Sequence, residues 1–349
     1  MGQTLWVRLM LAAALAFVGH AAIGAQRPDG GAKQPAKSGY VVPRTADGQP
    51  DLEGVWTNNA GTPLERPAIV GNRALLTDDE LAAVRKQAAL ITDECGDAVF
   101  GDSVYGAALG KVTKFKSTCG ETGNYNHFWL AARWFDHRTS LIVDPPDGKL
   151  PPYTPRAQAR REAAAARGRE HPPDGPEDRN LFERCLMPGD FPNLLAGYNA
   201  NFQIYQAAGS VAIQREMIHD VRIIPLDGRP HVGKAIGQLL GDSRGRWEGD
   251  TLVVDTTNFS TLSNLRGSST DLHLVERFTR VSADTLEYLF TATDLSTWTK
   301  PWTARLLLKL TKDSMHEYAC HEGNYGLRNI LSGARVQEAE QRSTSPGRD

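Results

Sequence analysis

From about Asn199 onward, the chain is a succession of short strand-like segments separated by turn residues. The strand-like runs are NFQIYQAA, SVAIQREMIHDVRIIPL, RWEGDTLVVDTTNF, LHLVERFTRV, TLEYLFTATD, WTARLLLKLT and HEYACHE. Turn signals such as LDGRP, GDSRG, WEGD and SADT punctuate them. Many short strands with close turns favour an antiparallel meander, which forms a barrel or a sandwich. The sequence therefore predicts a mainly β fold, with an antiparallel β-barrel core over residues 199–335.

The preceding residues, 51–198, predict an extension of strands, helices and loops wrapped around that core. PDLEGVWTN and TSLIVD have the composition of strands, and the glycine-rich residues 95–125 predict a loop. LTDDELAAVRKQAALI predicts a helix, because Thr77 and Glu80 have the spacing of a capping box.

A second helix is predicted in TPRAQARREAAAARG. Thr154 is its expected cap, Pro155 its first residue and Gly168 its end. Its many arginines and alanines favour a helix on the surface.

The first 25 residues have the pattern of a secretory signal peptide. Arg8 precedes the apolar run LMLAAALAFVG, and small residues follow, so we expect cleavage near Ala25. The run is short for a membrane span, although a retained anchor is the alternative. Residues 26–50 and 336–349 are expected to be a disordered leader and tail. The sequence thus predicts an exported protein, periplasmic or extracellular, without a membrane span after cleavage.

An exported protein encounters an oxidising compartment, which changes the interpretation of its four cysteines. Cys95, Cys119, Cys185 and Cys320 can pair in three ways. We favour Cys95–Cys119, which closes a short loop, together with Cys185–Cys320. The alternative is that they are free buried thiols. None of them belongs to a CxxC pair, so we do not expect a zinc site with thiolate ligands.

The charge balance bears on possible partners. Its 349 residues carry a formal net charge of −2, so no basic surplus favours nucleic acid. GDSRG at residues 241–245 has the letters of a GxSxG motif, but it is predicted as a turn between strands and not as a strand-to-helix nucleophile elbow, and a glycine-rich phosphate loop is absent from the sequence. We therefore expect a small-molecule substrate or ligand, no nucleic acid and no cofactor.

Several phrases resemble a large group of exported, mostly uncharacterised bacterial proteins, common in acidobacteria and environmental proteobacteria. They are RTSLIVDPPDGKLP, ERCL, EMIHDVRIIPLDGRPH, GDSRGRWEGDTLVVDTTNF, LHLVERFTRV and EYACHEGNYGLRNIL, within roughly residues 50–335. The resemblance implies a lipocalin-like barrel. Such barrels include carriers, haem binders, decarboxylases, hydratases and cyclases, so the fold does not select one function.

Alternation along strands identifies polar residues that share a face with apolar neighbours. His219, Glu276, Glu317 and His321 fit that description, and a buried polar group needs a partner. A histidine and a carboxylate in a water-poor pocket can serve as acid and base. We predict His219, Glu276 and His321 as catalytic residues, with Arg222 or Tyr288 steadying an oxyanion.

A binding wall is predicted from the aromatic residues of the last strands. Trp298, Trp302 and Phe290 would contact a flat, apolar molecule. Further substrate contacts are expected from Glu317, Tyr325 and Asn258, the last two near a barrel mouth.

Structural roles are the alternative for each of these residues. A histidine on an apolar face is commonly a hydrogen-bonded core residue, Glu276 beside Arg277 could be a structural ion pair, and tryptophans in strands usually belong to the core. A metal site built from His219, His273 and His321 is a further alternative, although HEGNY does not match HExxH.

The leading functional hypothesis is a cofactor-independent lyase, hydratase or isomerase that acts on a small apolar, aromatic or terpenoid molecule. The second hypothesis is a periplasmic lipocalin-like carrier without catalysis, and the third is a surface interaction or structural protein. The polar groups embedded in apolar strand faces favour the first.

Overall fold

A computed structural model describes residues 39–93, 102–110, 133–187, 191–192, 198–263 and 265–344. Within these ranges the chain forms ten β-strands and four α-helices. The strands are β1 Gly54–Thr57, β2 Ile142–Asp144, β3 Asn201–Ala207, β4 Ser210–Arg215, β5 Val221–Pro225, β6 Asp242–Glu248, β7 Thr251–Thr257, β8 His273–Ser282, β9 Thr285–Thr293 and β10 Trp302–Thr311. The helices are α1 Asp78–Asp93, α2 Asp102–Leu109, α3 Pro155–Glu170 and α4 Tyr325–Thr344.

All ten strands belong to one antiparallel sheet, ordered β5-β4-β3-β1-β10-β9-β8-β7-β6, with β2 paired to β10 beside that path. The antiparallel sheet expected from the sequence is thus confirmed. Strand β1 lies in its middle, because Trp56 aligns with Phe202 of β3 on one side and Leu310 of β10 on the other. The segment predicted to wrap around the core therefore also supplies a central strand of it.

The sheet is rolled so that its two edge strands, β5 and β6, lie against each other. Gly245 of β6 faces Ile224 and Leu226 so closely that a Cβ atom there would stand 2.7 and 2.6 Å from their methyl carbons. Glycine is therefore required for this approach. Although all residues of both strands are described, no hydrogen-bonded ladder joins them. The structure shows a rolled antiparallel sheet, whereas closure into a lipocalin-like barrel remains a proposal.

Two apolar cores stabilise the described part of the chain. The larger core fills the inside of the sheet and includes Trp56, Ile224, Phe290 and Trp302. The smaller core packs α1 and α2 beneath residues such as Phe135. Burying a large apolar side chain contributes about 1.5–3 kcal/mol, so the long inward rows of the sheet supply most of the driving force.

The predicted helix starts are confirmed at both caps. At α1 the Thr77 backbone N–H donates to Glu80 Oε2 at 2.9 Å, and the Glu80 N–H donates to Thr77 Oγ1 at 3.2 Å. At α3 the Ala157 N–H donates to Thr154 Oγ1 at 3.2 Å. The helix continues past Gly168 to Glu170, because one glycine costs an exposed helix only about 1 kcal/mol.

Several predicted strands and loops differ in the structure. The run around His219 is interrupted by the short 3₁₀ turn Met217–His219, so β4 and β5 are separate strands. The HEYACHE segment forms no strand; α4 follows it and covers most of the predicted tail at 336–349. Helix α2 lies in the predicted loop at 95–125, and residues from 39 onward are ordered in the predicted leader at 26–50.

A disulfide links the centre of the chain to its C-terminal segment. Cys185 and Cys320 are bonded with their Cα atoms 5.6 Å apart, as predicted. They lie 135 residues apart in the sequence, so the bond restricts a long loop of the unfolded chain. It is consistent with an oxidising, extracytoplasmic location. The predicted Cys95–Cys119 pair lies outside the described residues, as does the predicted signal peptide.

No helix in the described ranges is both long enough and apolar enough to span a membrane.

Candidate functional site

Inside the rolled sheet, a buried cluster is built from Arg222, Glu276 and Tyr288. Alternation places them there: Arg222 shares the inward face of β5 with Ile224, and Glu276 lies between Leu274 and Phe278 on β8. The Arg222 guanidinium binds the Glu276 carboxylate through two nitrogens, with Nη2 at 3.0 Å from Oε1. The Tyr288 hydroxyl donates to the same Oε1 at 2.8 Å. Three predicted site residues therefore meet in one place.

Burial controls the electrostatics of this cluster, since Glu276 is only 1% exposed. Burial and then the Glu276 charge raise the pKa of Tyr288 well above its usual value, so the phenol remains protonated. Burial would lower the pKa of Arg222, but the Glu276 carboxylate outweighs it and the pKa is raised. The cluster therefore holds one compensated ion pair and one neutral phenol.

A second charged pair lies beside the first. The Arg215 Nε donates to Asp220 Oδ1 at 2.7 Å, and Nη2 also contacts Oδ2. Both arginines pack against the Phe191 ring, with the guanidinium carbon of Arg222 at 4.9 Å and that of Arg215 at 5.6 Å from its centroid. Such cation–π contacts stabilise a guanidinium that has lost water.

A cavity of about 30 Å³ separates these charged pairs from an apolar wall. By this kind of measure one water needs roughly 10–15 Å³, so the cavity has room for about two. Its lining residues are Phe191, Pro192, Phe202, Ile204, Ile213, Arg215, Asp220, Arg222, Leu240, Glu276, Phe278, Tyr288 and Leu308. Any organic ligand would have to displace some of these side chains.

The other predicted catalytic residues lie elsewhere. His219 is exposed at the end of the 3₁₀ turn Met217–His219, and it does not line the cavity with Glu276. Its strand neighbours Val221 and Ile223 are 47% and 59% exposed, so the face that they define points outward. His321 and Glu317 are exposed in the irregular segment before α4. Alternation predicted an inward face for them, but that segment forms no strand.

The predicted mouth residues also stay outside the cavity lining. Tyr325 is 72% exposed at the start of α4. The Asn258 Nδ2 donates to the carbonyl oxygens of Val232 and Gly233 at 3.1 and 3.0 Å, which fixes the loop before β6. In the described contacts Asn258 therefore acts as a loop anchor.

The predicted aromatic wall belongs to a buried stack. Phe278 and Tyr288 are stacked at 4.6 Å, and Phe290 meets Trp302 edge-on at 5.3 Å. Trp298 then meets Trp302 edge-on at 5.6 Å. Only the Phe278 and Tyr288 end of this stack lines the cavity, whereas Phe290, Trp298 and Trp302 are fully buried core residues.

A hydrogen-bonded chain of two histidines and two aspartates lies on the opposite, outer face of the sheet. The His231 Nδ1 is 3.0 Å from Asp242 Oδ2, and its Nε2 is 3.0 Å from Asp255 Oδ1. The His273 Nε2 is 2.8 Å from the other Asp255 oxygen. Both nitrogens of an imidazole donate only in its protonated form. We call these four residues the outer His–Asp chain.

The outer His–Asp chain is partly open to solvent and its groups influence one another. Burial works to raise the pKa of Asp255, but hydrogen bonds and charge from His273 and His231 outweigh it and lower the pKa. The hydrogen bond to Asp255 raises the pKa of His273 above its usual value, against the effect of burial. The pKa values of Asp255 and His273 are thus shifted in opposite directions, as expected for a carboxylate hydrogen-bonded to an imidazole.

The alternative metal site of His219, His273 and His321 is not formed among the described residues. His273 is hydrogen-bonded to Asp255, while His219 and His321 lie on other segments. In the described ranges, no group of three or more histidine, cysteine, aspartate or glutamate side chains is arranged so that it could hold a metal ion.

Sequence reasoning missed Arg215, Asp220, Phe191 and the outer His–Asp chain. A signal for Arg215 was present, because it continues the buried alternation of Val211 and Ile213 on β4. His231 lies in a loop, where no periodicity predicts its partners.

Comparisons with known proteins add no further assignment. The chain matches no protein-family model, no curated protein and no solved structure.

Proposed function

We propose that this protein is an exported carrier that binds a small, largely apolar molecule inside its rolled sheet. The observation that supports this most is the cavity of the candidate site, where apolar walls surround two arginine–carboxylate pairs. Both carboxylates are engaged by arginines, so neither is left unpaired to act on a substrate. The apolar side chains that line the cavity would move aside for the ligand and then contact it.

Burial of the charged pairs also supports a role in binding. An apolar replacement of a buried ion pair is often as stable or more stable, so stability alone is a weak reason for such pairs in a core. Paired charges at one side of an apolar cavity orient a ligand that has one polar end. A lipocalin-like closure of the sheet, with β5 against β6, would enclose this ligand.

A fluorescence titration tests the proposed function. The probe is 1-aminoanthracene, an uncharged aromatic whose emission rises in apolar surroundings. Ile213 lines the cavity, whereas Ala212 is its neighbour on the other face of β4. We expect saturable 1:1 binding by the native protein, at least about tenfold weaker binding by Ile213→Phe, and unchanged binding by Ala212→Phe.

Two results would contradict this proposal. One is the absence of saturable binding by the native protein. The other is equal binding by both phenylalanine variants, since that would place the probe outside the cavity. Circular dichroism of each variant checks that the added ring has not disrupted the fold.

Cofactor-independent acid–base catalysis, of the lyase, hydratase or isomerase type, is the second candidate. It is favoured by one specific contact, the Tyr288 hydroxyl held against the Glu276 carboxylate beside the cavity. A phenol with a raised pKa is a weak but well-positioned proton donor. Mass spectrometry and NMR spectroscopy of a bound molecule before and after incubation separate the two candidates, since an isomer keeps the mass of its substrate but changes its spectrum. A ligand unchanged by both measurements, or turnover unaffected by Tyr288→Phe and Glu276→Gln, rejects catalysis by this pair.

A further inference from the structure

Arg215 has a buried N–H group whose hydrogen bond no described residue accepts. Its Nε and Nη2 bind Asp220, whereas Nη1 is enclosed without a hydrogen-bond partner among the described residues. Arg215 is 4% exposed and lines the cavity. A buried donor without an acceptor costs free energy, which is why such groups are rare and call for an explanation. Nη1 is thus an unpaired donor on a side chain that lines an apolar cavity.

We propose that Arg215 Nη1 binds the oxygen of an uncharged carbonyl carried by an otherwise apolar ligand. This inference rests on the proposed function and specifies the chemical class of its ligand. An acceptor atom is required because a guanidinium offers only donors.

The charge balance of the cavity favours a neutral acceptor. The charged lining residues are two arginines, Arg215 and Arg222, and two carboxylates, Asp220 and Glu276, so their charges cancel. A carboxylate ligand would add one uncompensated negative charge to a water-poor interior. A cationic ligand would find both carboxylates engaged by arginines. A ketone or ester carbonyl accepts one hydrogen bond and adds no charge.

The remaining walls define the rest of the ligand. Phe202, Ile204, Ile213 and Leu308 line the cavity from β3, β4 and β10. They present only hydrocarbon, so the body of the ligand should be aliphatic or aromatic. The carbonyl should lie at one end, where it reaches Arg215.

A matched set of three probes tests the acceptor. Acetophenone carries the carbonyl, α-methylstyrene replaces its oxygen by a CH₂ group of similar shape, and benzoate replaces the ketone by a carboxylate. Their affinities are measured by NMR titration of the native protein, Arg215→Lys and the control Arg246→Lys. Lysine retains the positive charge beside Asp220 but has a single nitrogen, so nothing replaces the Nη1 donor, and Arg246 lies on an exposed surface.

We expect the native protein and Arg246→Lys to bind acetophenone roughly tenfold more tightly than α-methylstyrene, and benzoate most weakly. Arg215→Lys should bind acetophenone and α-methylstyrene with about equal affinity, while its affinity for α-methylstyrene stays that of the native protein. A crystal structure with acetophenone should place its oxygen within hydrogen-bond distance of Nη1.

The possible failures are distinguishable. If none of the probes binds at the cavity, both this inference and the proposed function are rejected. If the probes bind without a preference for the carbonyl, or the preference survives in Arg215→Lys, only this inference is rejected. A water that remains on Nη1 when acetophenone is bound also overturns it, because that water would be the acceptor.

Discussion

The interior ion pairs and the outer His–Asp chain both join a basic side chain to a carboxylate, but they do so in different surroundings. Glu276 and Arg222 are buried inside the sheet, whereas His273 and Asp255 are 41% and 30% exposed on its outer face. The interior contacts join guanidinium groups to carboxylates, while the outer contacts join imidazoles to carboxylates.

The difference shows how burial changes the effect of a paired charge on stability. Inside, each ion has lost its water, so removal of one partner leaves an uncompensated charge. On the outer face, water solvates whichever group remains, so the same removal costs little. The four predictions that follow test this contrast.

The largest effect is expected from Glu276→Gln. The substitution keeps the shape of the side chain but leaves the Arg222 charge buried without its counterion. We expect the free energy of unfolding to fall by about 3–5 kcal/mol, measured by urea denaturation.

The double variant Glu276→Leu with Arg222→Met is the control for this prediction. Both charges are then removed, and a stability much closer to that of the native protein is expected. If Glu276→Gln cost less than about 1 kcal/mol, the interior would be wetter than the structure implies.

Asp220→Asn should have an intermediate effect. Asp220 is 17% exposed at its side chain, so the Arg215 charge that it leaves behind can recover part of its hydration. We expect a loss of about 1.5–3 kcal/mol, the range for hydrogen bonds to charged groups. A loss equal to that of Glu276→Gln would mean that the two interior pairs do not differ in solvation.

Asp255→Asn should change the pH dependence more than the maximum stability. The pKa of His273 is raised in the folded state, so its contribution is present below about pH 6.5 and lost as pH rises through the folded value. The pKa of Asp255 is lowered, so its contribution is present above about pH 3.9 and lost as pH falls through the folded value.

The Asp255–His273 pair therefore stabilises most between about pH 4 and 6.5. Because both groups are partly exposed, we expect only about 0.5–1 kcal/mol there. Urea denaturation from pH 4 to 9 should show this contribution in the native protein and its loss in Asp255→Asn. Parallel pH profiles for the two proteins would refute the assignment.

Arg277→Gln should have the smallest effect. Arg277 Nη1 contacts Glu248 at 2.9 Å, but the two side chains are 39% and 41% exposed. Such pairs typically contribute between zero and 1 kcal/mol and are screened by salt. We expect a change within about 0.5 kcal/mol that disappears in 1 M NaCl. A larger change would show that the outer face is less solvated than its exposure indicates.

Periodicity predicted the parts of the site that lie on regular strands. Glu276 and Tyr288 were placed with their apolar neighbours on β8 and β9, and the structure confirms those inward positions. Side chains on a strand alternate between faces, so a charged residue in phase with leucine and phenylalanine must point inward. Arg222 follows the same rule on β5.

The same rule failed at His219 and His321, because alternation applies only within a continuous strand. The predicted strand around His219 is interrupted by the turn Met217–His219, and the segment that contains His321 forms no strand. The position of β1 was also beyond local pattern, because its partners come from β3 and β10, far along the sequence. The outer His–Asp chain needs a loop to meet two strands, which no spacing encodes.

The central position of β1 also affects the order in which the molecule can assemble. Residues 55–57 pair with residues 309–311, so one of the earliest described segments cannot complete its pairing until one of the latest is present. Contacts between such distant parts of a chain are formed slowly, since a long loop must close first. A chain delivered from its N-terminus therefore cannot complete its sheet until nearly all of it has arrived.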